Sequence, residues 1–343
     1  MKTMKSAIIN HWHSIDIMEV PIPEPEDGEV LVRLTYCGIC GSDIHLYNGE
    51  HPVAHPPVAM GHEMIGIVEK INTSLPVCFK VGDRVSIHDD NCGKCDLCLS
   101  GAANQCRKRG MKLRKTAGDS EYMTGHADNI VIIPPHLSDK EACLLEPFAC
   151  AIRITDRGRI KTGDTVLIIG GGTIGFACAF TAREMGASRV IISTRSEFHK
   201  QMVLRYGFEL IDPLKQDVAE TIMEMTHGRG ANVTIEASCS INGVQTSTAA
   251  TGVEGTIVML AVGMEPKPVF DVGSIALKEL TIVGSRAHTV ADMRRASIFM
   301  DGLCKKYTLD PLITDIIPLE AIEEGYKMMI EHRSTGKILV KLR

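Results

Sequence analysis

The chain has 343 residues, of which 44% are hydrophobic and 23% charged, and its formal net charge is −5. This length predicts two domains, and the negative charge argues against a nucleic acid or an acidic membrane surface as partner. Residues 1–10 contain no apolar segment of signal-peptide length, and no apolar run approaches the length of a membrane span. The twelve cysteines include a cluster with metal-ligand spacing, so we expect a reduced, cytoplasmic protein.

The first part of the chain favours short β-strands separated by turns. Residues 30–34 and 64–69 are apolar runs of strand length, whereas Pro21, Pro23 and Pro25 exclude a central strand between residues 21 and 25. We therefore predict a β-rich domain over residues 1–150.

Two glycine-lined turns in this domain carry side chains that bind metals. Cys40 lies in Gly-Ile-Cys-Gly at residues 38–41, and His62 lies in Met-Gly-His-Glu at residues 60–63. With Glu146 they form a thiolate, imidazole and carboxylate set that suits zinc and leaves one coordination position for a substrate. Asp43 or Glu63 can hold the second imidazole nitrogen or enter the ligand set. These residues are far apart in sequence, so spacing alone does not assign them.

A polar segment over about residues 88–118 contains four cysteines at C-x2-C-x2-C-x7-C spacing, namely Cys92, Cys95, Cys98 and Cys106. Four thiolates from one short loop predict a closed, structural zinc site. An iron–sulfur cluster is the alternative, but a ferredoxin run places its fourth cysteine after three residues and before a proline. Here seven residues intervene and Arg107 follows, which favours zinc.

The pattern changes near residue 140. Residues 140–157 have helical spacing, and residues 165–169 form a continuous apolar run that ends at glycines, as a buried parallel strand does. Strand and helix patterns then alternate to about residue 284, which predicts an α/β domain with a doubly wound parallel sheet over residues 151–288. Residues 289–343 are predicted to return to the first domain.

The glycine-rich turn fits G-x-G-x-x-G immediately after the predicted strand and before a predicted helix. In that position glycines let the backbone approach a dinucleotide pyrophosphate at the helix N-terminus. We therefore predict that the cofactor binds at this turn, which comprises Gly170, Gly171, Gly172, Thr173, Ile174 and Gly175.

The end of the second predicted strand indicates which dinucleotide binds. NAD-binding folds carry Asp or Glu there to accept hydrogen bonds from the ribose 2′-hydroxyl. This chain has Ser193, Thr194 and Arg195 instead. Without a carboxylate to repel a 2′-phosphate, NADP(H) is favoured over NAD(H), with Ser196 and Lys200 as further candidate contacts. The alternative is that Arg195 is a solvated surface charge.

These motifs together resemble the zinc-dependent medium-chain dehydrogenase/reductase family. The resemblance rests on residues 36–45, on Gly-His-Glu at residues 61–63 and on the four-cysteine segment, and Leu-Leu-Glu-Pro at residues 144–147 narrows it to the sorbitol (polyol) and threonine dehydrogenase branch. It implies a GroES-like catalytic domain and a Rossmann domain.

The resemblance also implies roles for individual residues. It gives Cys40, rather than Cys37, and His62 and Glu146 as ligands of a catalytic zinc, with Glu63 as a fourth partner that exchanges with water. It further implies that Ser42 passes on the substrate proton and that His45 is the outer member of the relay. His45 is chemically suited because histidine titrates near neutral pH.

We therefore expect an enzyme with one catalytic and one structural zinc per chain. It would transfer a hydride between NADP(H) and a secondary alcohol, such as a polyol, a sugar acid or an amino alcohol. The alternatives are an NAD-linked threonine or polyol dehydrogenase, a zinc-free quinone or enoyl reductase, and a non-enzymatic protein that binds zinc and a dinucleotide. By resemblance the chain forms a homodimer or homotetramer.

Overall fold

The computed structural model describes residues 2–50, 55–88, 91–108, 116–260 and 267–343. The chain divides into two units: Met1–Ala149 with His288–Arg343, and Cys150–Ala287. No helix within the described ranges combines the length and the apolar character that crossing a bilayer requires.

The first unit is dominated by strands. Its elements before the chain enters the second unit are β1 (Thr3–His11), β2 (Ser14–Pro21), β3 (Glu29–Gly38), α1 (Gly41–Tyr47), β4 (Val58–Ala59), β5 (Glu63–Asn72), β6 (Arg84–Ile87), α2 (Asp96–Leu99), β7 (Tyr122–His126), β8 (Ile130–Ile132), α3 (Asp139–Ala142) and α4 (Leu145–Gly158). The single helix predicted for residues 140–157 is therefore two helices. Pro147 lies in the first turn of α4, where its missing N–H costs nothing, and this favours a helix start there.

The second unit contains a parallel sheet. Its elements are β9 (Thr165–Ile169), α5 (Thr173–Glu184), β10 (Arg189–Ser193), α6 (Glu197–Arg205), β11 (Glu209–Ile211), α7 (Val218–Met225), β12 (Ala231–Glu236), α8 (Ile241–Ala250), β13 (Thr251–Met259), α9 (Val272–Leu277) and β14 (Thr281–Gly284). The strand order is β11-β10-β9-β12-β13-β14, and every pairing is parallel. Residues 166–169 of the central strand β9 are all buried, as expected for a strand covered on both faces. The predicted doubly wound sheet is confirmed.

The chain then returns to the first unit through α10 (Val290–Leu303), β15 (Ile313–Pro318), α11 (Ile322–Ile330) and β16 (Lys337–Lys341). Here one sheet has the order β15-β16-β3-β5-β6-β8, with β7 paired to β3, and a smaller one has the order β2-β1-β4.

Strand pairing fixes the surroundings of the predicted metal ligands. At the end of β3, Gly38 pairs with Glu63 of β5 on one side and with Leu339 of β16 on the other. The C-terminal strand therefore lies beside the strand that leads to Cys40.

Candidate functional site

Cys40, His62 and Glu63 come together in the first unit, with one potential ligand atom from each lying within 4.8 Å of the others. Cys40 is the N-cap residue of α1, and Glu63 is the first residue of β5. Cys40 and His62 are partly exposed, whereas Glu63 is buried. Of the two neighbouring cysteines, Cys37 is fully buried, and it is Cys40 that joins the group.

Asp43 orients two members of this group. One of its carboxylate oxygens accepts a hydrogen bond from the Cys40 backbone N–H at 2.9 Å, and the other lies 3.3 Å from Nδ1 of His62. Burial lowers the pKa of His62, but the Asp43 carboxylate and Cys40 raise it by more, so this pKa lies well above its usual value. An acidic partner on one ring nitrogen leaves the other nitrogen to face a metal, as in many histidine-ligated zinc sites.

Two glycines are needed around the group. Gly61 has φ +87°, and a Cβ there would lie 2.7 Å from Asp119. A Cβ on Gly38 would collide with the Glu63 carboxylate. The close approach of β3 to β5 thus depends on the absence of a side chain at residue 38.

Lys337 of β16 holds Glu63 in the buried interior. Its ammonium group lies 2.7 Å from the Glu63 carboxylate and donates to the carbonyl of Ile39 at 3.0 Å. Burial raises the pKa of Glu63, Lys337 counters this shift, and the nearby Glu146 carboxylate adds to it. Lys337 was not predicted from the sequence, since nothing in the local pattern around it indicates an ion pair 274 residues away.

The donor set of this group fits a zinc ion. Oε2 of Glu63 is buried and accepts no hydrogen bond of good geometry among the described residues, although the Lys337 ammonium group lies 2.7 Å from it. A thiolate, an imidazole and a carboxylate are the ligand types that zinc takes. Zinc held by Cys40, His62 and Glu63 would retain an open position.

Glu146 lies in a separate group with His288. It is in the first turn of α4, and its Oε1 is 3.0 Å from Nε2 of His288. Both side chains are largely buried, and the His288 ring packs against the ring of His88 at a centroid distance of 4.8 Å. The ligand role of Glu146 remains a prediction, and sequence reasoning did not anticipate its pairing with His288.

The predicted proton-relay residues Ser42 and His45 both lie on α1 and are exposed. Their i, i+3 spacing places them on one face of the helix. Nδ1 of His45 is 2.6 Å from the Glu50 carboxylate, a partner that the sequence analysis did not identify. The relay role of Ser42 and His45 stays a prediction.

The four-cysteine segment has the geometry of a closed metal site. The described Sγ–Sγ distances are 3.5 Å for Cys95–Cys98, 3.9 Å for Cys95–Cys106 and 4.0 Å for Cys92–Cys98. Four sulfurs at zinc–sulfur distances of about 2.3 Å form a tetrahedron with edges of about 3.8 Å. A disulfide would bring two sulfurs to about 2.05 Å, so these distances match metal ligands and not cystine.

Backbone hydrogen bonds favour the thiolate form of Cys95, whereas burial and the neighbouring cysteines raise the pKa of Cys98 to about 12. The hydrogen bonds from Arg107 and Cys98 lower the pKa of Cys95 to about 6. Backbone N–H groups of Cys92 and Lys108 both donate to Sγ of Cys106 at 3.3 Å. Residues 89–90 and 109–115 of the predicted lobe lie outside the described residues.

In the second unit, residues 170–175 connect β9 to α5. Gly170 has φ +110°, and a Cβ on Gly175 would collide with the carbonyl oxygen of Gly170. Gly172 is the N-cap residue of α5, so the backbone N–H groups of Thr173 and Ile174 lie in the first turn of this helix. Such a turn suits a phosphate group.

The end of β10 lies beside this turn. Gly170 N donates to the carbonyl of Ser193 at 2.9 Å, and a Cβ on Gly171 would lie 2.8 Å from Thr194. Ser193 and Thr194 are buried, whereas Arg195 is exposed. The structure thus brings together the turn and the residues predicted to select the dinucleotide.

Two other suggested contacts have structural roles here. Ser196 is the N-cap residue of α6, and its Oγ accepts from the backbone N–H of His199. The Lys200 ammonium group lies 2.6 Å from Asp212 and 2.7 Å from Glu197. Lys200 is therefore engaged by two carboxylates within its own unit.

Comparisons with known proteins show which proteins the chain is similar to. The family model "Alcohol dehydrogenase GroES-like domain" matches residues 26–135, and "Zinc-binding dehydrogenase" matches residues 173–301. D-arabitol-phosphate dehydrogenase of Enterococcus avium is 29% identical over 339 residues, which cover 96% of this chain and 95% of that protein. L-threonine 3-dehydrogenase of Pyrococcus horikoshii is 30% identical over 341 residues, with 96% of each chain covered.

A solved structure from Sinorhizobium meliloti 1021, described as a zinc-binding dehydrogenase bound to NADP, is also similar. It is 30% identical to this chain, covers 99% of it and 100% of its own chain, and superposes with a TM-score of 0.89.

Replacing Cys95 by Ser is expected to lower the thermal unfolding midpoint and to remove one zinc per chain, because the lobe depends on metal coordination for its fold. Zinc content by mass spectrometry and a thermal melt measure both effects. The exposed Cys78 gives a matched control, and Cys78→Ser should change neither quantity. Unchanged zinc content in Cys95→Ser would contradict the ligand role.

Replacing Lys337 by Met is expected to destabilise the first unit by about 3–5 kcal/mol, because it leaves the buried Glu63 charge unpaired. Removing both charges in Glu63→Gln/Lys337→Met should cost less than Lys337→Met alone. The exposed Lys341 lies on the same strand, and Lys341→Met should change stability by no more than about 0.5 kcal/mol. Urea titration of the protein with zinc and after chelation measures the free energy of unfolding of each variant. Equal losses of this free energy in Lys337→Met and Lys341→Met would refute the prediction.

Proposed function

Because the chain belongs to the zinc-dependent medium-chain dehydrogenase family, in its polyol dehydrogenase-like group, we propose that it oxidises a secondary alcohol of a small hydroxylated molecule with NADP⁺. In the reverse direction it reduces the corresponding ketone. Membership in this family makes the chain an alcohol oxidoreductase. The observation that carries the finer proposal is the convergence of Cys40, His62 and Glu63 within 4.8 Å.

These three residues are proposed to hold the catalytic zinc, whereas Glu146, a ligand by the family resemblance, contacts His288 in a separate group. When bound, zinc supplies a Lewis acid for the substrate oxygen. Asp43 fixes the orientation of Cys40 and His62, and Lys337 keeps the Glu63 carboxylate in place. A preorganised set of ligands needs little rearrangement when charge develops on the substrate.

The proton of the substrate hydroxyl is proposed to leave through Ser42 and His45. Both residues are exposed on one face of α1, and an imidazole is suited to transfer protons near neutral pH. Glu50, 2.6 Å from Nδ1 of His45, orients the imidazole ring for this transfer.

The dinucleotide is proposed to bind at the glycine turn of the second unit, and its nicotinamide ring carries the hydride. NADP(H) is the preferred form, because the position at the end of β10 holds Thr194 in place of a carboxylate and is followed by the exposed Arg195. A guanidinium pairs well with a phosphate. The similar Sinorhizobium protein was solved with NADP, which supports this choice.

The substrate class is proposed from the site and from the two named relatives. Arabitol phosphate and threonine both carry a secondary hydroxyl next to another polar group. We therefore expect a polyol, a sugar acid or an amino alcohol. NAD-linked oxidation of threonine or a polyol is the second candidate, and the 30% identity to the threonine enzyme favours threonine as its substrate.

The proposed assembly is a homodimer or a homotetramer. Strand β14 is the last in the sheet order, and Ile282 at its centre is 37% exposed. An edge strand with exposed apolar side chains is suited to pair with another chain. A second copy of this chain is the proposed partner at that edge.

The dinucleotide preference gives a direct test. Wild-type protein is expected to bind NADPH more tightly than NADH, and Arg195→Ala should weaken NADPH binding by about 10–100-fold, the effect of losing a charge-assisted hydrogen bond. NADH binding should stay nearly unchanged, and Thr194→Asp should reverse the preference. Fluorescence titration measures each dissociation constant. Arg205→Ala, at an exposed arginine that ends the following helix α6, is the control; tighter NADH than NADPH binding in the wild type would overturn the proposal.

The reaction is tested by initial rates with NADP⁺ and NAD⁺ on a panel of polyols, sugar acids, threonine and simple secondary alcohols. We expect one class to be oxidised fast with NADP⁺. Cys40→Ala and His62→Ala should abolish this turnover while NADPH binding persists, because these residues hold the metal and lie outside the dinucleotide-binding unit. Turnover at the wild-type rate in either variant would rule out the proposed metal centre.

A further inference from the structure

The Glu146–His288 pair is buried and rigidly held, yet none of the proposed steps uses His288. The side chain of His288 is 5% exposed and that of Glu146 is 11% exposed. His288 immediately precedes Thr289, the N-cap residue of α10, whose backbone N–H and hydroxyl both donate to Asp292 at 2.9 Å. This capping box fixes the backbone that carries the imidazole.

Both nitrogens of the His288 ring face oxygen atoms. Nδ1 lies 3.2 Å from the carbonyl oxygen of Thr289, and Nε2 lies 3.0 Å from Oε1 of Glu146. We place the ring hydrogen on Nε2, because the contact with Glu146 is the shorter of the two and a hydrogen bond to a carboxylate is stronger than one to a carbonyl. The neighbouring ring of His88, at a centroid distance of 4.8 Å, restricts rotation of the imidazole.

The pair lies near the proposed zinc ligands but forms a group of its own. The Glu146 carboxylate is close enough to Glu63 and Lys337 to influence the pKa values of both. Zinc that already has three protein ligands is closed by a fourth one, and a closed site has no position for a substrate. An interaction that keeps Glu146 out of the ligand set therefore preserves activity.

We propose that His288 is a positioning residue that, by donating its Nε2 hydrogen to Oε1 of Glu146, keeps this carboxylate outside the ligand set of Cys40, His62 and Glu63. The coordination position that receives the substrate oxygen then stays open. This inference rests on the proposed metal centre. It assigns to His288 control over which carboxylates bind the metal, and not a contact with substrate.

Two substitutions separate the contacts of the imidazole. In His288→Gln the side-chain amide nitrogen can take the place of Nε2 and keep the hydrogen bond to Glu146. In His288→Asn the amide nitrogen takes the place of Nδ1, which keeps a polar contact near Thr289 but cannot reach Glu146. Both variants remove the imidazole ring and its packing against His88. A difference between their measured properties therefore reports the loss of the contact with Glu146.

The experiment uses protein in which Co²⁺ replaces zinc at the Cys40 site while the four-cysteine site keeps zinc. The quantity measured is the visible absorption spectrum of this Co²⁺. Coordination of the Glu146 carboxylate in place of solvent changes the ligand field of Co²⁺, which shifts the cobalt bands. His288→Asn should show this shift and lose about 10–100-fold in kcat, the order of the loss when a group around a bound metal is disturbed. His288→Gln should retain the wild-type spectrum. Glu146→Gln in the His288→Asn background should restore that spectrum.

Several results would overturn the proposal. Identical cobalt spectra for wild type and His288→Asn, both folded by circular dichroism, would mean that His288 does not control Glu146. Equal changes in His288→Asn and His288→Gln would mean that only ring packing matters. A wild-type protein without cobalt bands that depend on Cys40 would overturn both the metal centre and this role. Normal bands without turnover of any alcohol would contradict the reaction alone, while the spectra still decide the role of His288.

Discussion

The buried ion pair between Glu63 and Lys337 is the interaction on which the candidate metal centre depends. Taking a carboxylate and an ammonium group out of water is costly for each, and the cost is offset only when the two are held together. Their side chains are 1% and 5% exposed and lie 2.7 Å apart. The pairing of β16 with β3 and of β3 with β5 produces this contact. A charged Glu63 therefore requires the C-terminal strand in place.

The C-terminal segment His288–Arg343, which returns to the first unit, also supplies a partner for a second buried carboxylate, that of Glu146. His288, at the start of this segment, pairs with Glu146 much as Lys337, near its end, pairs with Glu63. Cys40 and His62 come from the first part of the chain and are oriented by Asp43, three residues after Cys40. Asp43 thus orients the thiolate and the imidazole from within the first part of the chain, whereas pairing with the C-terminal segment arranges the carboxylates.

This division explains what the sequence could predict. The turn at residues 170–175 was predicted together with its flanking strand and helix, because glycine spacing and an apolar run act over a few residues. The spacing of Cys92, Cys95 and Cys98 likewise limits where one short loop can place three sulfurs. Lys337 and His288 were missed because their contacts span 274 and 142 residues. Such contacts follow from strand register and helix placement, which local patterns do not specify.

The two cysteine-containing centres also differ in the charge that they would leave on a bound metal. Four thiolates around Zn²⁺ give the lobe a net negative charge, which suits a structural site that attracts no anionic ligand. At the other centre, the thiolate of Cys40 and the carboxylate of Glu63 would balance the two charges of Zn²⁺, and Lys337 would balance Asp43, so the centre would be close to neutral. Such a centre, unlike the four-thiolate site, does not repel negative charge that develops on a substrate oxygen. Entry of Glu146 into the ligand set would add a negative charge. The hydrogen bond from His288 to Glu146 therefore preserves both the vacant coordination position and the charge balance that makes this position useful for catalysis.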